Sequence, residues 1–304
     1  MKQLKFAIFL LLVALPFVTS LSKAETYGSG WYQEFQFATE YEDNISRSYK
    51  DEDQVSDYIA TISYGGGHSR KLGDSSQVIL SGYASYNAFD EFDDLSNLTL
   101  NGGISWVYQP SPGYGSIWYD VTSNLTLSKY KNYDAREGLL FNIDTSLNRR
   151  IKNNLVGHLG YRYHDSFFPQ KSSNEKSQDE AWDVNGHEIY LGMDYQFEGS
   201  IVFFAEYGFR QGDMTSIVSG PIEPKSDYDA KSPDHVFNDC ASVEDCTLTW
   251  AYRVETDMHK ARVGLSIPIR QLNLDLSANY YDAESNSGQS YSDWMLKAGL
   301  LWYF

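Results

Sequence analysis

The sequence predicts an all-β protein, a transmembrane antiparallel up-and-down β-barrel of about twelve strands. Three observations point there. Segments with one oily face and one polar face recur twelve times, the composition is polar on average yet rich in aromatic residues, and the connections alternate between short and long.

Periodicity comes first. Reading backward from Phe304 in steps of two, Phe304, Trp302, Leu300, Ala298, Leu296 and Trp294 share one face, while Tyr303, Leu301, Gly299, Lys297, Met295 and Asp293 share the other. The first face is apolar with aromatics at both ends. In 272–280 the residues Leu272, Leu274, Leu276, Ala278 and Tyr280 alternate with Asn273, Asp275, Ser277 and Asn279. In 261–269 and 201–210 the same alternation returns. A helix would place apolar residues three and four apart, which these segments do not do. The twelve segments lie near 31–42, 56–67, 77–88, 97–108, 116–129, 139–149, 154–165, 187–197, 200–210, 258–269, 272–282 and 291–304.

Composition fits the same class. Mean hydropathy is −0.45, yet 15% of residues are aromatic and 24 are tyrosine, too many for a disordered chain. A membrane barrel reconciles the two, because its strands alternate lipid-facing and lumen-facing residues and its interfaces carry aromatic girdles.

The connections supply the third observation. Turns such as Lys71-Leu72-Gly73-Asp74, Ser111-Pro112-Gly113, Glu198-Gly199 and Arg270-Gln271 are brief, whereas the intervening connections are longer and acidic. The longest is expected to run from Gln211 to about Met258. Short periplasmic turns and long extracellular loops are the pattern of exported barrels.

The N-terminal segment bears on location. Lys2 and Lys5 precede an apolar run from Phe6 to Val18, and Ser22-Lys23-Ala24 offers small residues for cleavage. The expectation is a secretory signal peptide at 1–24 and a barrel domain at 25–304, since about 13 apolar residues are too few to span a membrane as a helix. Loss of that segment takes the formal charge from −17 to −20. Nucleic acid is thereby excluded as a partner, because phosphate binding needs clustered Lys and Arg.

By these residues the chain resembles the Gram-negative outer-membrane β-barrel proteins, porin-like in size. Phe304, Trp302 and Leu300, with Ala298 and Leu296, match that class's assembly signal, a C-terminal Phe preceded by apolar residues at every second position. The resemblance implies outer-membrane localisation. It also implies recognition by the barrel assembly machinery, with outer-membrane lipid and lipopolysaccharide as surroundings.

Candidate functional residues are those the phasing turns inward. They include Glu34, Glu40, Asp120, Asp144, Glu188, Asp194, Glu206, Asp275 and Asp293, against Arg162, Arg210, Arg262 and Lys297, with His158 and His164 beside them. Twelve strands about 4.8 Å apart and tilted about 40° close at a backbone radius of roughly 12 Å, enough for a small solute. Two readings stand. The charges set the selectivity of a porin-like channel for small hydrophilic solutes, or they brace the wall of a non-conducting barrel that anchors acidic loops for interaction, adhesion or polysaccharide export. In the first reading the four cations form a basic side facing acids of the first, fifth and sixth strands.

Other motifs carry less. Cys240 and Cys246, six positions apart in an exported chain, are expected to form a disulfide. No histidine stands at ligand spacing from them, so no metal or cofactor is expected. In "YHDSFFP" the His164-x-Ser166 spacing resembles that of the twelve-stranded outer-membrane phospholipase A. Strand phase turns both residues inward, however, and Phe167-Phe168 stands where Asn-Gly is expected. No spacing singles out a protease pair either, and the chain is read as a non-enzyme. The clusters Asp51-Glu52-Asp53 and Asp90 to Asp94 are read as solvated loop tips or as sites for cation bridging to lipopolysaccharide.

Overall fold

A computed structural model describes residues 29–111, 113–133, 136–168, 181–220, 228–240 and 246–304. The expected signal peptide lies outside the described residues.

Thirteen strands follow one another: β1 (Gly30–Glu42), β2 (Asp57–Lys71), β3 (Ser76–Phe89), β4 (Asn97–Tyr108), β5 (Ile117–Tyr130), β6 (Gly138–Lys152), β7 (Leu155–Phe167), β8 (Asn185–Gln196), β9 (Val202–Ser219), β10 (Ala230–Cys240), β11 (Cys246–Ile269), β12 (Leu272–Ser285) and β13 (Ser290–Tyr303). Each pairs antiparallel with its neighbour, except that β9 pairs with β11 across the β10 insertion. β13 returns to β1, with Trp302 opposite Phe35 and Leu296 opposite Tyr41. Phe304 N–H donates to the Gln33 carbonyl at 2.9 Å and completes the seam. Omitting β10, this is a closed barrel of twelve strands, and closure removes the edges an open sheet would expose.

The outer wall is apolar. Leu80, Leu100, Ile104, Leu127, Ile189, Leu191 and Leu296 all stand exposed there, an uncovered band that a lipid surface would bury. Aromatic residues collect at its two ends. Trp106 stacks beside Tyr108, and Trp302 beside Phe304, at the end with the short turns. Tyr41 meets Tyr58, and Tyr280 meets Trp294, at the other.

The expected loop over 211–258 is corrected. β9 and β11 stay paired from Val202 opposite Ser266 out to Ser219 opposite Thr249, well beyond the shorter strands. β12 covers the far edge of β11 over 256–269, and β10 takes that place further out, with Ala230 opposite Arg253. The result is a three-stranded arm. Its prolines argued for a loop, but Pro233 falls on the edge strand β10, where a missing N–H is tolerated.

The arm folds over the mouth and is covered on both faces. One face packs Met214, Val218, Tyr252 and Val254 against Ala283, Tyr291 and the partly buried Tyr49 and Tyr228. The other packs Ile217 and Ala251 against Tyr133, Ala181 and Trp182. Val218, Ala251 and Val254 are 0% exposed. Among the described residues these two clusters are where buried apolar side chains gather, and they sit where a channel entrance would be.

The connection 43–56 is stitched to the same arm. Ile217 N–H donates to the Ser46 carbonyl at 2.9 Å, Lys50 Nζ donates to the Ser219 carbonyl at 2.7 Å, and Ser219 N–H donates to Asp53 Oδ2 at 2.8 Å. Asn44 Nδ2 reaches the Ser292 carbonyl on β13 at 3.0 Å. Within this loop Arg47 adopts φ +50, a left-handed turn that aims the chain inward. Tyr133 and Arg136 lock onto β10 as well: Arg136 pairs with the buried Asp234 at 2.6 Å and lies over the Trp182 ring, and Tyr133 Oη donates to the Pro233 carbonyl. Burial pushes the Tyr133 phenol well above its usual range.

Candidate functional site in the bore

Arg162 on β7 is the hub of the inner wall. Its Nε donates to Asp144 Oδ2 at 2.6 Å, Nη1 to Glu188 Oε1 at 3.0 Å and to Glu206 Oε1 at 2.6 Å, and Nη2 to Glu206 Oε2 at 2.9 Å. Strand register makes this possible, because Arg162 lies directly opposite Asp144 on β6 and Glu188 on β8. The fork against Glu206 is bidentate, the stronger geometry for a charge-assisted pair. The guanidinium also stacks on Tyr190 at 3.7 Å, whose hydroxyl donates to Asp144 Oδ1 at 2.6 Å. Lys260 on β11 donates to Glu188 Oε2 at 2.7 Å. Glu188, its side chain 3% exposed, is therefore held by two cations.

Two glycines let these side chains lie flat on the wall. A Cβ on Gly160 would come within 2.2 Å of the Tyr190 ring, and one on Gly192 within 2.0 Å of His158 Nε2. Neither ring could stay where it is beside any larger residue. His158, laid down in this way, comes within 3.7 Å of Glu206 and 4.0 Å of Asp194.

The remaining candidates are distributed along the bore. Lys297 pairs with Glu40 at 3.3 Å. Asp120 accepts from Asn148 Nδ2 at 2.8 Å. Glu34 lies against Tyr83, whose hydroxyl is 3.4 Å from that of Tyr32. Arg262 lies over the Phe204 ring at 4.9 Å. Arg210 is opposite Glu188 in register but turns to His164 Nε2 at 2.6 Å and to the Asp213 carbonyl. The expected division into a basic side and an acidic side is corrected. Asp144, Glu188, Glu206 and Glu40 each touch a cation: neighbouring strands place Asp144 and Glu188 opposite Arg162 and Glu40 opposite Lys297, and Arg162 reaches across β8 to Glu206.

Among the described residues, spaces remain in and above this charged wall. One of about 150 Å³ is lined by Arg162, Glu188, Glu206, Lys260, Arg262 and Tyr281. Above it, toward the arm, a chamber of about 300 Å³ shares Lys260 and Tyr281 and adds Arg47, His164 and Arg210. A third, of about 310 Å³, lies across Arg47 beneath Trp182 and Ile217. Arg47 lines both upper spaces and separates them.

Phase alone made Lys260 legible as inward, two residues before Arg262, although it was not singled out. Tyr190 carried a signal in the glycines opposite it. Arg47 had none, since only the folded loop brings it inside. His164 and Ser166 do face inward, but Ser166 Oγ donates to the Trp182 carbonyl and accepts from Val184 N–H, which ties it to backbone. The loop acids are tied as well: Asp53 to Ser219, Asp93 to Lys131, and Asp94 to Asn132. Among the described residues no group of three or more His, Cys, Asp or Glu is placed to hold a metal ion. Cys240 and Cys246 are cross-strand backbone partners, while their side chains lie outside the described residues.

No protein-family model matches the sequence, and no curated protein matches it. Solved structures do. An outer-membrane channel from Pseudomonas putida F1 superposes with a TM-score of 0.57 at 9% identity, over 94% of this chain and 100% of that one. The KdgM porin, in complex with disordered oligogalacturonate, follows at a TM-score of 0.43 and 10% identity over 89% and 99% of the two chains. The NanC porin gives 0.43 and 9% over 88% and 98%. At these identities the likeness concerns the fold alone, and the fold is that of outer-membrane β-barrels.

Proposed function

We propose that the protein is a porin-like channel of the outer membrane for small hydrophilic solutes, without enzymatic activity. The observation that carries this is the pair of spaces of about 150 and 300 Å³ that meet at Lys260 and Tyr281 inside a charged wall. Rings of fixed charge in a narrow bore select among solutes by sign and by charge distribution. The second reading, a non-conducting barrel that presents its loops for interaction, has its own support in the dry core packed across the mouth. Single-channel recording in planar bilayers separates the two. Discrete conductance steps are expected, and a sealed bilayer at high protein load would remove the channel reading.

The proposal includes export by a cleaved signal peptide, terminal-strand recognition of Phe304, Trp302 and Leu300 during assembly, and a Cys240–Cys246 disulfide in the extracellular arm. Opposed cross-strand positions suit such a bond. On intact cells a membrane-impermeant maleimide should label this pair only after reduction. A single cysteine placed at Gln271 should stay unlabelled. Labelling at Gln271 instead would invert the topology.

A further inference from the structure

The chamber of about 300 Å³ below the arm differs in character from the hub beneath it. Arg47, Arg210 and Lys260 line it together with Asp213 and Asp293 within a chain whose net charge is −17, and Lys260 is already held by Glu188 of the hub. Arg210 is 6% exposed. Among the described residues its guanidinium makes no ion pair, and its hydrogen bonds go to His164 Nε2 and the Asp213 carbonyl. The Glu188 and Asp213 carboxylates lie near enough to act on it, but neither is in contact, and a buried guanidinium with no carboxylate in direct contact gains from an anion that reaches it. Arg47 makes no ion pair among the described residues either, and Arg262 below, over the Phe204 ring, is the same.

The lining also includes Asn44, Asn142, His164 and Ser292, and its other side chains are apolar or aromatic. The chain has five methionines, and Met214, Met258 and Met295 all line this one chamber with Leu140, Tyr281 and Tyr291. Thioether side chains rearrange around apolar bodies of differing shape and make favourable contacts with rings. A strongly hydrated inorganic anion would gain nothing from such a lining. A space of this volume that sets two guanidiniums without ion pairs beside a group of thioethers and rings suits a small molecule that is charged at one end and apolar at the other.

We propose that this chamber is a binding site for small amphipathic monocarboxylates, with the carboxylate on Arg210 and Arg47 and the apolar body against Met214, Met258 and Met295. The inference deepens the channel reading by naming the solute class, and its role in passage rests on that reading. Binding itself does not require conductance.

The test is calorimetric titration of the full-length protein in detergent with benzoate, with benzamide as the neutral analogue and inorganic phosphate as the anion without an apolar body. Benzoate should bind, and benzamide and phosphate should bind at least about tenfold more weakly, the loss expected when a buried charge partner is removed. Arg210→Gln should weaken benzoate by a similar factor. Because that variant could perturb folding, Arg47→Gln on the loop provides a second reading in the same direction, and Lys131→Gln, at an exposed pair with Asp93, should bind as the parent does. Equal binding of benzamide, or benzoate binding untouched by both arginine changes, overturns the site. Conductance without benzoate binding overturns it and leaves the channel standing, whereas benzoate binding to a barrel that never conducts leaves the site and removes the channel.

Discussion

Replacing Arg162 with Gln should lower the thermal transition of the barrel by about 5 °C, the largest effect of any single lumen substitution. The change removes the one group that touches Asp144, Glu188 and Glu206 at once, and of the three carboxylates only Glu188 keeps a contact with a Lys or Arg among the described residues, from Lys260. Breaking a fully dry ion pair costs about 3–5 kcal/mol. Here the cost should be nearer about 2 kcal/mol, because the side chains of Arg162 and Asp144 are 31% and 35% exposed and water takes over part of the lost interaction. A domain of this size shifts by roughly 2–4 °C per kcal/mol, which gives the figure above. Arg262→Gln should move the transition by under about 2 °C, since Arg262 rests on Phe204 and makes no ion pair among the described residues. Loss of heat-modifiable mobility on electrophoresis, followed against temperature, measures both. Equal shifts for the two variants would mean that the hub does not brace the wall. Lys at position 162 should fall between, because an ammonium cannot form the bidentate contact with Glu206.

The barrel was legible in the sequence because a membrane strand must satisfy two solvents at once. Leu272, Leu274 and Leu276 can only face lipid if Asn273, Asp275 and Ser277 face water, and that constraint writes itself into every second residue. Inward placement of Arg162, Asp144, Glu206 and Lys297 followed from the same phase. Which charge meets which did not, because pairing depends on register between strands and on the direction a long side chain leans. Arg162 could be read as inward; its reach to Glu206, two strands away, depends on Gly160 and Gly192 leaving the wall open for Tyr190 and His158. The arm was missed for a different reason. Within 214–218 and 250–254 apolar residues fall on both faces, Met214 and Val218 on one and Ile217 and Ala251 on the other. A two-sided burial gives no alternation to read, and Pro221, Pro224 and Pro233 pointed to a loop. Arg47 is the extreme case. Its position depends on loop contacts with residues about 170 and 250 positions away, Ser219 and Ser292, and nothing local encodes them.

Shortening the arm should raise conductance several-fold. Met214 lies directly opposite Val254, so residues 215–253 can be replaced by Asn-Gly, which closes a two-residue hairpin with the twist the flanking strands require. The deletion takes away Ile217, Val218, Ala251 and Tyr252, the dry ceiling over both upper chambers, together with β10 and the Asp234 partner of Arg136. It also frees the 43–56 loop, which loses its bonds to Ile217 and Ser219. The Arg162 hub lies below the cut and keeps every one of its partners. The transmembrane wall should therefore survive, with a thermal transition close to that of the parent, while access resistance at the mouth falls. Single-channel recording of parent and deletion in the same bilayers reads the outcome. If conductance is unchanged, the narrowest point is the hub and the arm is not a cap. If the parent is silent and the deletion conducts, the arm seals the barrel, and passage would require it to move. If neither conducts, Arg162 and its carboxylates fill the bore, and the barrel is an anchor for its loops.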